Sequence, residues 1–93
     1  MKERAWKLGF RSPMNRQRLH YLLKQSGFYS RMHAYEYLIG FRGSIIGVMI
    51  VSPERDTATL YTHVELEPQI IEKLKNCIEA VGGTSLLVKH VEV

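Results

Sequence analysis

The amino-acid sequence predicts a two-layer α+β protein in which two helices pack on a mainly antiparallel sheet. Two stretches carry the apolar spacing of amphipathic helices, and the residues between and after them alternate with the two-residue period of strands. The chain has 93 residues, of which 45% are apolar. This is enough for one hydrophobic core and too little for two, so we expect a single domain over residues 1–93.

The first part of the chain is predicted to form a strand followed by a helix. Residues 1–10 alternate charged and apolar side chains, which favours a short strand. Ser12-Pro13 marks a helix start, because serine accepts a backbone N–H at the N-cap and proline is tolerated at the first helical position. The first helix is placed at about 13–26, and Gly27 supplies a left-handed stop. Its buried face is expected to consist of Asn15, Leu19, Leu22, Leu23 and Ser26.

The middle of the chain is predicted to form a three-stranded meander. The pattern from residue 34 to residue 64 is typical of strands and is too long for a single one. Arg42-Gly43 separates two apolar runs and predicts a tight hairpin that joins strands at about 34–41 and 44–52, with one long bent strand as the alternative. After a polar turn at 53–56, residues 57–64 alternate as a third strand. One face of that strand is polar and aromatic, so we expect that side of the sheet to be at least partly open.

The last part of the chain is predicted to form a helix and a strand. Glu67-Pro68 begins the second helix, and Gly82-Gly83 ends it. Its apolar stripe consists of Ile70, Ile71, Leu74, Cys77, Ile78 and Val81. A last strand is placed at about 85–91. The predicted order is β-α-β-β-β-α-β, or the ferredoxin-like β-α-β-β-α-β if the long middle stretch is one strand.

Basic residues are concentrated in the first half of the chain. Residues 1–42 carry nine lysines and arginines against two acids, a net charge of +7. Residues 43–93 carry four against seven, a net charge of −3. An asymmetry of this size indicates a surface that meets an anionic partner. The competing interpretation is that the charges only solvate two faces of the protein.

The candidate contact residues lie on and beside the first helix. Arginine supplies forked donors that suit phosphate, and an exposed tyrosine adds a ring to the same side. A helix of about 14 residues is about 21 Å long, which allows about four or five phosphate contacts. The candidates, predicted to form a continuous basic strip, are Arg11, Arg16, Arg18, Tyr21, Lys24 and Arg31.

A second candidate feature is a row of alternating side chains on the predicted second strand. His33, Tyr35 and Tyr37 are two residues apart, with Arg31 two residues before them. On one strand they would share a face. Such a row is able to stack on bases, or it forms a packed sheet surface or a dimer seam.

Several functional classes are disfavoured by the sequence. No apolar run approaches the roughly 20 residues of a membrane span, and residues 1–10 lack the apolar region of a secretory signal, so we expect a cytoplasmic protein without a membrane partner. Cys77 is the single cysteine, which excludes an internal disulfide and a multi-cysteine metal site. The four histidines lack metal-ligand spacing, so no metal or other cofactor is expected.

Residues 37–89 resemble the core of the GNAT acyltransferase family. The resemblance rests on residues 38–48, Leu-Ile-Gly-Phe-Arg-Gly-Ser-Ile-Ile-Gly-Val, which are similar to the family's strand, tight turn and G-x-I-x-G strand. In that family, a glycine-rich loop of the form R/Q-x-x-G-x-G/A binds the pyrophosphate of acetyl-CoA through backbone amides. Here the same place holds Glu65-Leu66-Glu67-Pro68-Gln69. The resemblance therefore implies an architecture, and it implies neither acetyl transfer nor any site residue.

Three functions follow from these patterns. The leading hypothesis is a small non-enzymatic binding module that contacts the backbone of nucleic acid through the N-terminal basic surface. The alternative is a protein-interaction or regulatory module that binds an acidic protein. A degenerate acyltransferase-like protein is the third. We also expect a homodimer, because an unpaired edge at the final strand invites pairing.

Overall fold

The computed structural model describes residues 9–92, which form two helices and a five-stranded sheet. A 3₁₀ turn, Gly9–Arg11, leads into helix α1, Pro13–Gln25. Four strands, one helix and a final strand follow: β1 Phe28–His33, β2 Glu36–Phe41, β3 Ser44–Ser52, β4 Thr57–Thr62, α2 Pro68–Ala80 and β5 Ser85–His90.

The strands lie in the sheet in the same order as in the sequence, β1-β2-β3-β4-β5. The first four are joined as antiparallel neighbours. β5 pairs with β4 in parallel, because the chain returns through α2 before it enters β5. The predicted α+β class, with two helices on a mainly antiparallel sheet, is confirmed.

The beginning of the chain differs from the predicted order. The predicted strand over residues 1–10 lies mostly outside the described residues, and its last two residues, Gly9 and Phe10, belong to the 3₁₀ turn. The Phe10 side chain is fully buried, and its backbone N–H donates to Asp56 Oδ1 over 3.1 Å. This bond ties the turn to the β3–β4 connection. Gly9 has a φ of +58°, and a Cβ at this position would overlap the Asp56 carboxylate.

Residues 28–41 form two strands where the sequence predicts a connector and one strand. β1 and β2 pair from Phe28 opposite Phe41 to His33 opposite Glu36. Ala34 turns the chain with a φ of +56°. Positive φ is uncommon for alanine, so this turn leaves none of the usual Gly, Asn or Pro signals in the sequence. The meander therefore has four strands, and neither the three-stranded order nor the ferredoxin-like alternative describes it.

The predicted β2–β3 hairpin is confirmed. Arg42 and Gly43 are its two turn residues, with φ of +53° and +84°. Positive φ at both positions is the requirement of a type I′ turn, which matches the right-handed twist of the strands it joins. Gly43 meets that requirement without strain, since glycine has no Cβ.

Both predicted helices are confirmed. Ser12 caps α1 by accepting the backbone N–H of Asn15 over 3.2 Å, and Gly27, with a φ of +98°, follows the helix end. α2 begins at Pro68 and is followed by Gly82 at a φ of +94°. The predicted stripe of α2 faces the core, with four members buried and two half-buried: Leu74, Cys77, Ile78 and Val81, then Ile70 and Ile71.

The hydrophobic core lies between the two helices and the inner face of the sheet. Alternate residues of the strands point inward, as the strand period requires. The inner face buries Phe28, Tyr37, Ile39, Met49, Val51, Ala58 and Leu60. The outer face leaves large side chains partly exposed: Tyr29, Ile50, Tyr61 and Leu87. The expected open side of the sheet is this outer face.

Candidate functional site

The end of the sheet that carries the β2–β3 turn brings together cations from three elements. Lys24 lies in the last turn of α1, Arg42 is the first residue of the turn, and Lys73 lies on α2. Arg42 Cζ is 5.1 Å from the centroid of the Phe41 ring, and Lys73 Nζ is 5.8 Å from the same centroid. Lys73 Nζ also donates to the backbone oxygen of Ser26 over 3.4 Å. We call Lys24, Arg42 and Lys73 the basic cluster.

The charges of the basic cluster face solvent. All three residues are exposed, and none of them pairs with an acid within residues 9–92. Within that range, Glu65 Oε1 lies 3.9 Å from His90 Nε2, on the β4–β5 side of the sheet. The contacts of Arg42 and Lys73 with an aromatic ring leave their N–H donors largely unused. The cluster is therefore available to an anion.

A cleft of about 510 Å³ opens beside the basic cluster. Its lining comes from the α1–β1 junction, at residues 24 and 27–29, and from the β2–β3 hairpin, at residues 38 and 40–45. Gly40 lies between Tyr29 and Ile45 across the paired strands. A Cβ at Gly40 would lie 3.1 Å from Tyr29 Cβ and 3.5 Å from Ile45 Cδ1. The missing side chain therefore lets Tyr29 and Ile45 approach each other closely over Gly40, which forms part of the floor of the cleft.

Arg16, one of the sequence candidates, serves an internal role. Its side chain is half-buried, and Nη1 donates to the backbone oxygen of Phe10 over 2.6 Å. Its Cζ lies 4.4 Å from the centroid of the Tyr35 ring. The guanidinium thus holds the 3₁₀ turn and the start of α1 against the β1–β2 turn. The expectation that Arg16 points outward is corrected, because its Nη1 donor and its flat face are used within the fold.

Arg31 lies on the other side of the sheet from α1, so the predicted strip is not continuous. Ser30 faces inward, with its Oγ 2.9 Å from His20 Nδ1 on α1. Arg31, the next residue of β1, faces outward by strand alternation and is exposed. The edge of β1 separates it from the helix. The candidates that remain exposed on the helix side are Arg11, Arg18, Tyr21 and Lys24.

The expected aromatic row on one strand does not form. The turn at Ala34 leaves His33 on β1, places Tyr35 in the turn and puts Tyr37 on β2. Tyr37 is fully buried on the inner face, and its hydroxyl donates to the backbone oxygen of Arg16 over 2.7 Å. Burial raises the pKa of Tyr37 well above its usual range, against a smaller opposing effect of the Arg16 charge. Tyr37 is therefore a core residue.

Two members of the basic cluster were not predicted as site residues. Arg42 was identified from the sequence only as a turn residue, and Lys73 only as part of a helix. No local pattern connects them with Lys24. They meet because α2 crosses the inner face close to the end of α1, where Cys77 Sγ lies 3.3 Å from Ser26 Oγ.

The pKa of His20 predicts a loss of stability in mild acid. Burial lowers this pKa from its usual 6.5, and the nearby charge of Lys24 lowers it further. The unfolded chain therefore binds the proton more readily than the folded protein. As pH falls below 6.5, the free energy of unfolding should decrease, until pH has passed the pKa of the folded state. Thermal unfolding of the wild type and of His20→Gln on both sides of that pH measures the effect. The decrease in the free energy of unfolding should be smaller in His20→Gln than in the wild type. Equal decreases would mean that another titratable group causes the effect.

The connector between β4 and α2 does not fit the pyrophosphate of acetyl-CoA, which the acyltransferase family binds with a glycine-rich loop at this place. Glu65 and Glu67 are exposed in it and would repel phosphate. Pro68, the first residue of α2, has no N–H to donate. The connector therefore offers no binding site for that pyrophosphate.

Metal and membrane functions have no supporting feature in residues 9–92. That range contains no group of three or more His, Cys, Asp or Glu residues placed to hold a metal ion. Neither of its helices has the length and apolar character needed to cross a bilayer.

No protein-family model, curated protein or solved structure matches this chain. The fold and the site define an α+β protein with an exposed basic cluster beside a cleft in its sheet. Its function is accordingly inferred from its own residues.

Proposed function

We propose that this protein is a non-enzymatic binding module that contacts the phosphate backbone of nucleic acid through its basic surface. The basic cluster is the observation that carries the proposal. Lys24, Arg42 and Lys73 come from three elements, converge on one end of the sheet and pair with no acid in the described part of the chain. Such cations bind phosphate and release its counterions.

The arrangement of the sheet supports this proposal, because it keeps the basic elements of the first half of the chain next to one another, and Lys73 of α2 joins them. The strands lie side by side in sequence order, so α1, β1 and β2 from the basic half occupy one side. The acidic residues of the β4–α2 connector, Glu65 and Glu67, follow a strand on the other side. The β4–α2 connector lies at the same end of the sheet as the β2–β3 turn, so an anionic chain should favour the β1–β2 side of that end over the β4 side.

Arg18 extends the basic surface along α1. Arg18, Leu22 and Ser26 are spaced four residues apart, which places them in one row on the helix. Lys73 donates to the backbone oxygen of Ser26, and Arg18, which is exposed, lies eight residues or about 12 Å along the helix axis before that residue. A nucleic-acid backbone that follows this side would make about four phosphate contacts.

Neutralising the basic cluster tests the proposal. The triple variant Lys24→Gln, Arg42→Asn, Lys73→Gln should bind all sequences more weakly and flatten the salt dependence by about three phosphate contacts, because such contacts position the protein without reading bases. Asparagine is chosen at position 42 because it tolerates the positive φ of the turn. Fluorescence anisotropy with single- and double-stranded oligonucleotides at two salt concentrations measures affinity and slope together.

The control removes the same charge from the acidic half of the chain. The triple variant Arg55→Gln, Lys75→Gln, Lys89→Gln should keep the salt slope of the wild type. Equal losses of affinity and of salt slope in the two triple variants would overturn the basic cluster as the contact surface. Absence of wild-type binding at low salt would overturn nucleic-acid binding itself. Binding of a glutamate-rich peptide to the same cluster would then support an acidic protein partner.

A further inference from the structure

We infer that the cleft beside the basic cluster binds one nucleotide unit, with the base against Tyr29 and above Gly40 and the phosphate at Lys24 and Arg42. This inference extends the proposed function by naming what is recognised besides the backbone. A cleft of about 510 Å³ lies within the range of small-ligand sites.

The shape of the cleft suits a flat ring. Tyr29 on β1 and Ile45 on β3 stand on either side of Gly40, and both are partly exposed, at 52% and 45%. Gly40 forms the floor between them, with Tyr29 Cβ and Ile45 Cδ1 3.1 and 3.5 Å from the position of a Cβ, so a ring is placed on the exposed side of Tyr29 and not between the two side chains. Aromatic side chains at such positions stack on bases without preference for sequence, since every base presents a π face.

The charge of the cleft suits a phosphate at one end. Lys24 and Arg42 both line it, and they belong to the end formed by the helix terminus and the hairpin turn. Two glycines, Gly27 and Gly43, lie beside these cations, and the space that a Cβ would occupy at Gly43 is open to 4 Å. A ring and an anion can therefore be held together, with the anion on the side of the cations.

The combination of an aromatic wall and adjacent cations favours a nucleotide over an acidic peptide. Glutamate and aspartate carry charge without a ring, so they would use the cations and leave the Tyr29 wall empty. Bases within a duplex are paired and stacked, which makes them inaccessible to the cleft. The source of the ligand is therefore a single strand or a free nucleotide.

The test separates the base from the backbone. The wild type should bind a short oligothymidylate roughly 10-fold more tightly than an abasic strand of the same length, since a stacked base contributes on this order. Tyr29→Ala should lose that difference and bind both strands as the wild type binds the abasic one. Tyr29→Phe keeps the ring and should keep the difference. Circular dichroism and thermal unfolding establish that each variant is folded.

Tyr61→Ala is the matched control. Tyr61 has the same side chain, lies on the same outer face and is 37% exposed, but it is on β4 and outside the cleft. This variant should distinguish the two strands as well as the wild type does. If Tyr29→Ala and Tyr61→Ala lose the difference between the two strands equally, bases contact the outer face of the sheet in general. That result would overturn the inference of a nucleotide site in the cleft.

The two sources of the nucleotide are distinguished by an NMR titration with thymidine monophosphate. Saturable shifts of the Gly40 and Ile45 amides would support the site and assign it to free nucleotides. Shifts with the strand alone would support the site and assign it to single-stranded nucleic acid. Shifts with neither ligand would overturn it.

Failure of this inference is distinguishable from failure of the proposed function. If the abasic strand binds with a steep salt dependence and bases add nothing, the basic cluster stands and the nucleotide site is overturned. If the abasic strand does not bind but thymidine monophosphate shifts Gly40, the nucleotide site stands and backbone binding is overturned.

Discussion

Leu74→Ala should lower the free energy of unfolding by about 2 to 5 kcal/mol. Leu74 lies at the centre of the apolar stripe of α2 and has no solvent exposure. Removing its terminal carbons takes away contacts with the core and leaves a cavity, since close-packed surroundings relax only in part. Urea denaturation followed by circular dichroism measures the change.

The matched control for this prediction is Leu87→Ala. Leu87 lies on β5 and is 53% exposed on the outer face of the sheet. The same atoms are removed, but few of them are buried, so the cost should be below about 1 kcal/mol. Similar values for the two variants would mean that α2 does not pack as the structure describes. The result bears on function as well, because α2 positions Lys73 in the basic cluster.

The sequence predicted the elements whose start and stop residues have a direct physical cause. Ser12-Pro13 and Glu67-Pro68 begin the two helices, and the Arg42-Gly43 hairpin lies where the turn chemistry placed it. Each of these signals acts through the backbone of one or two residues. Packing elsewhere in the protein does not readily override them.

The division of residues 28–41 into two strands lacked such a signal. Ala34 adopts a positive φ although nothing in its side chain favours this conformation. The turn is held by contacts distant in sequence: Val51 donates its N–H to the backbone oxygen of Tyr35 over 2.9 Å, and Arg16 stacks on the Tyr35 ring. Tertiary contacts thus set the turn, and residue-by-residue propensity cannot predict it.

Only part of the candidate site was predicted from the sequence, because contacts distant in sequence also decide which side chains it contains. The helical spacing that predicted the basic strip correctly placed Lys24 on the exposed side of α1, but it also placed Arg16 there. Helical spacing does not account for contacts with other elements, and both the 3₁₀ turn and the β1–β2 turn contact Arg16. Arg42 and Lys73 join Lys24 only through the crossing of α2 over the sheet. The charge difference between the two halves of the sequence has a counterpart in the structure, because the strands lie in the sheet in sequence order.

Gly47→Ala should lower the free energy of unfolding by about 3 kcal/mol, the upper end of what overpacking usually costs. Gly47 is buried on β3 beside an irregularity in the β2–β3 register, and a Cβ there would overlap the backbone oxygen of Tyr61. Backbone cannot move aside as a flexible side chain does. β3 and β4 would have to separate. This separation would also stretch the hydrogen bond from Thr62 Oγ1 to the Ile46 oxygen, which is 2.6 Å long.

Gly43→Asn is the control for Gly47→Ala, since it adds a side chain to a glycine in the turn that precedes β3. Nothing lies within 4 Å of a Cβ at Gly43, and asparagine tolerates positive φ, so the cost should stay below about 1 kcal/mol. Urea denaturation of both variants gives the comparison. If Gly47→Ala unfolds at the same urea concentration as the wild type, β3 and β4 do not approach as closely as the structure describes. The same result would place Tyr61, the control residue of the nucleotide test, in doubt as a neighbour of β3.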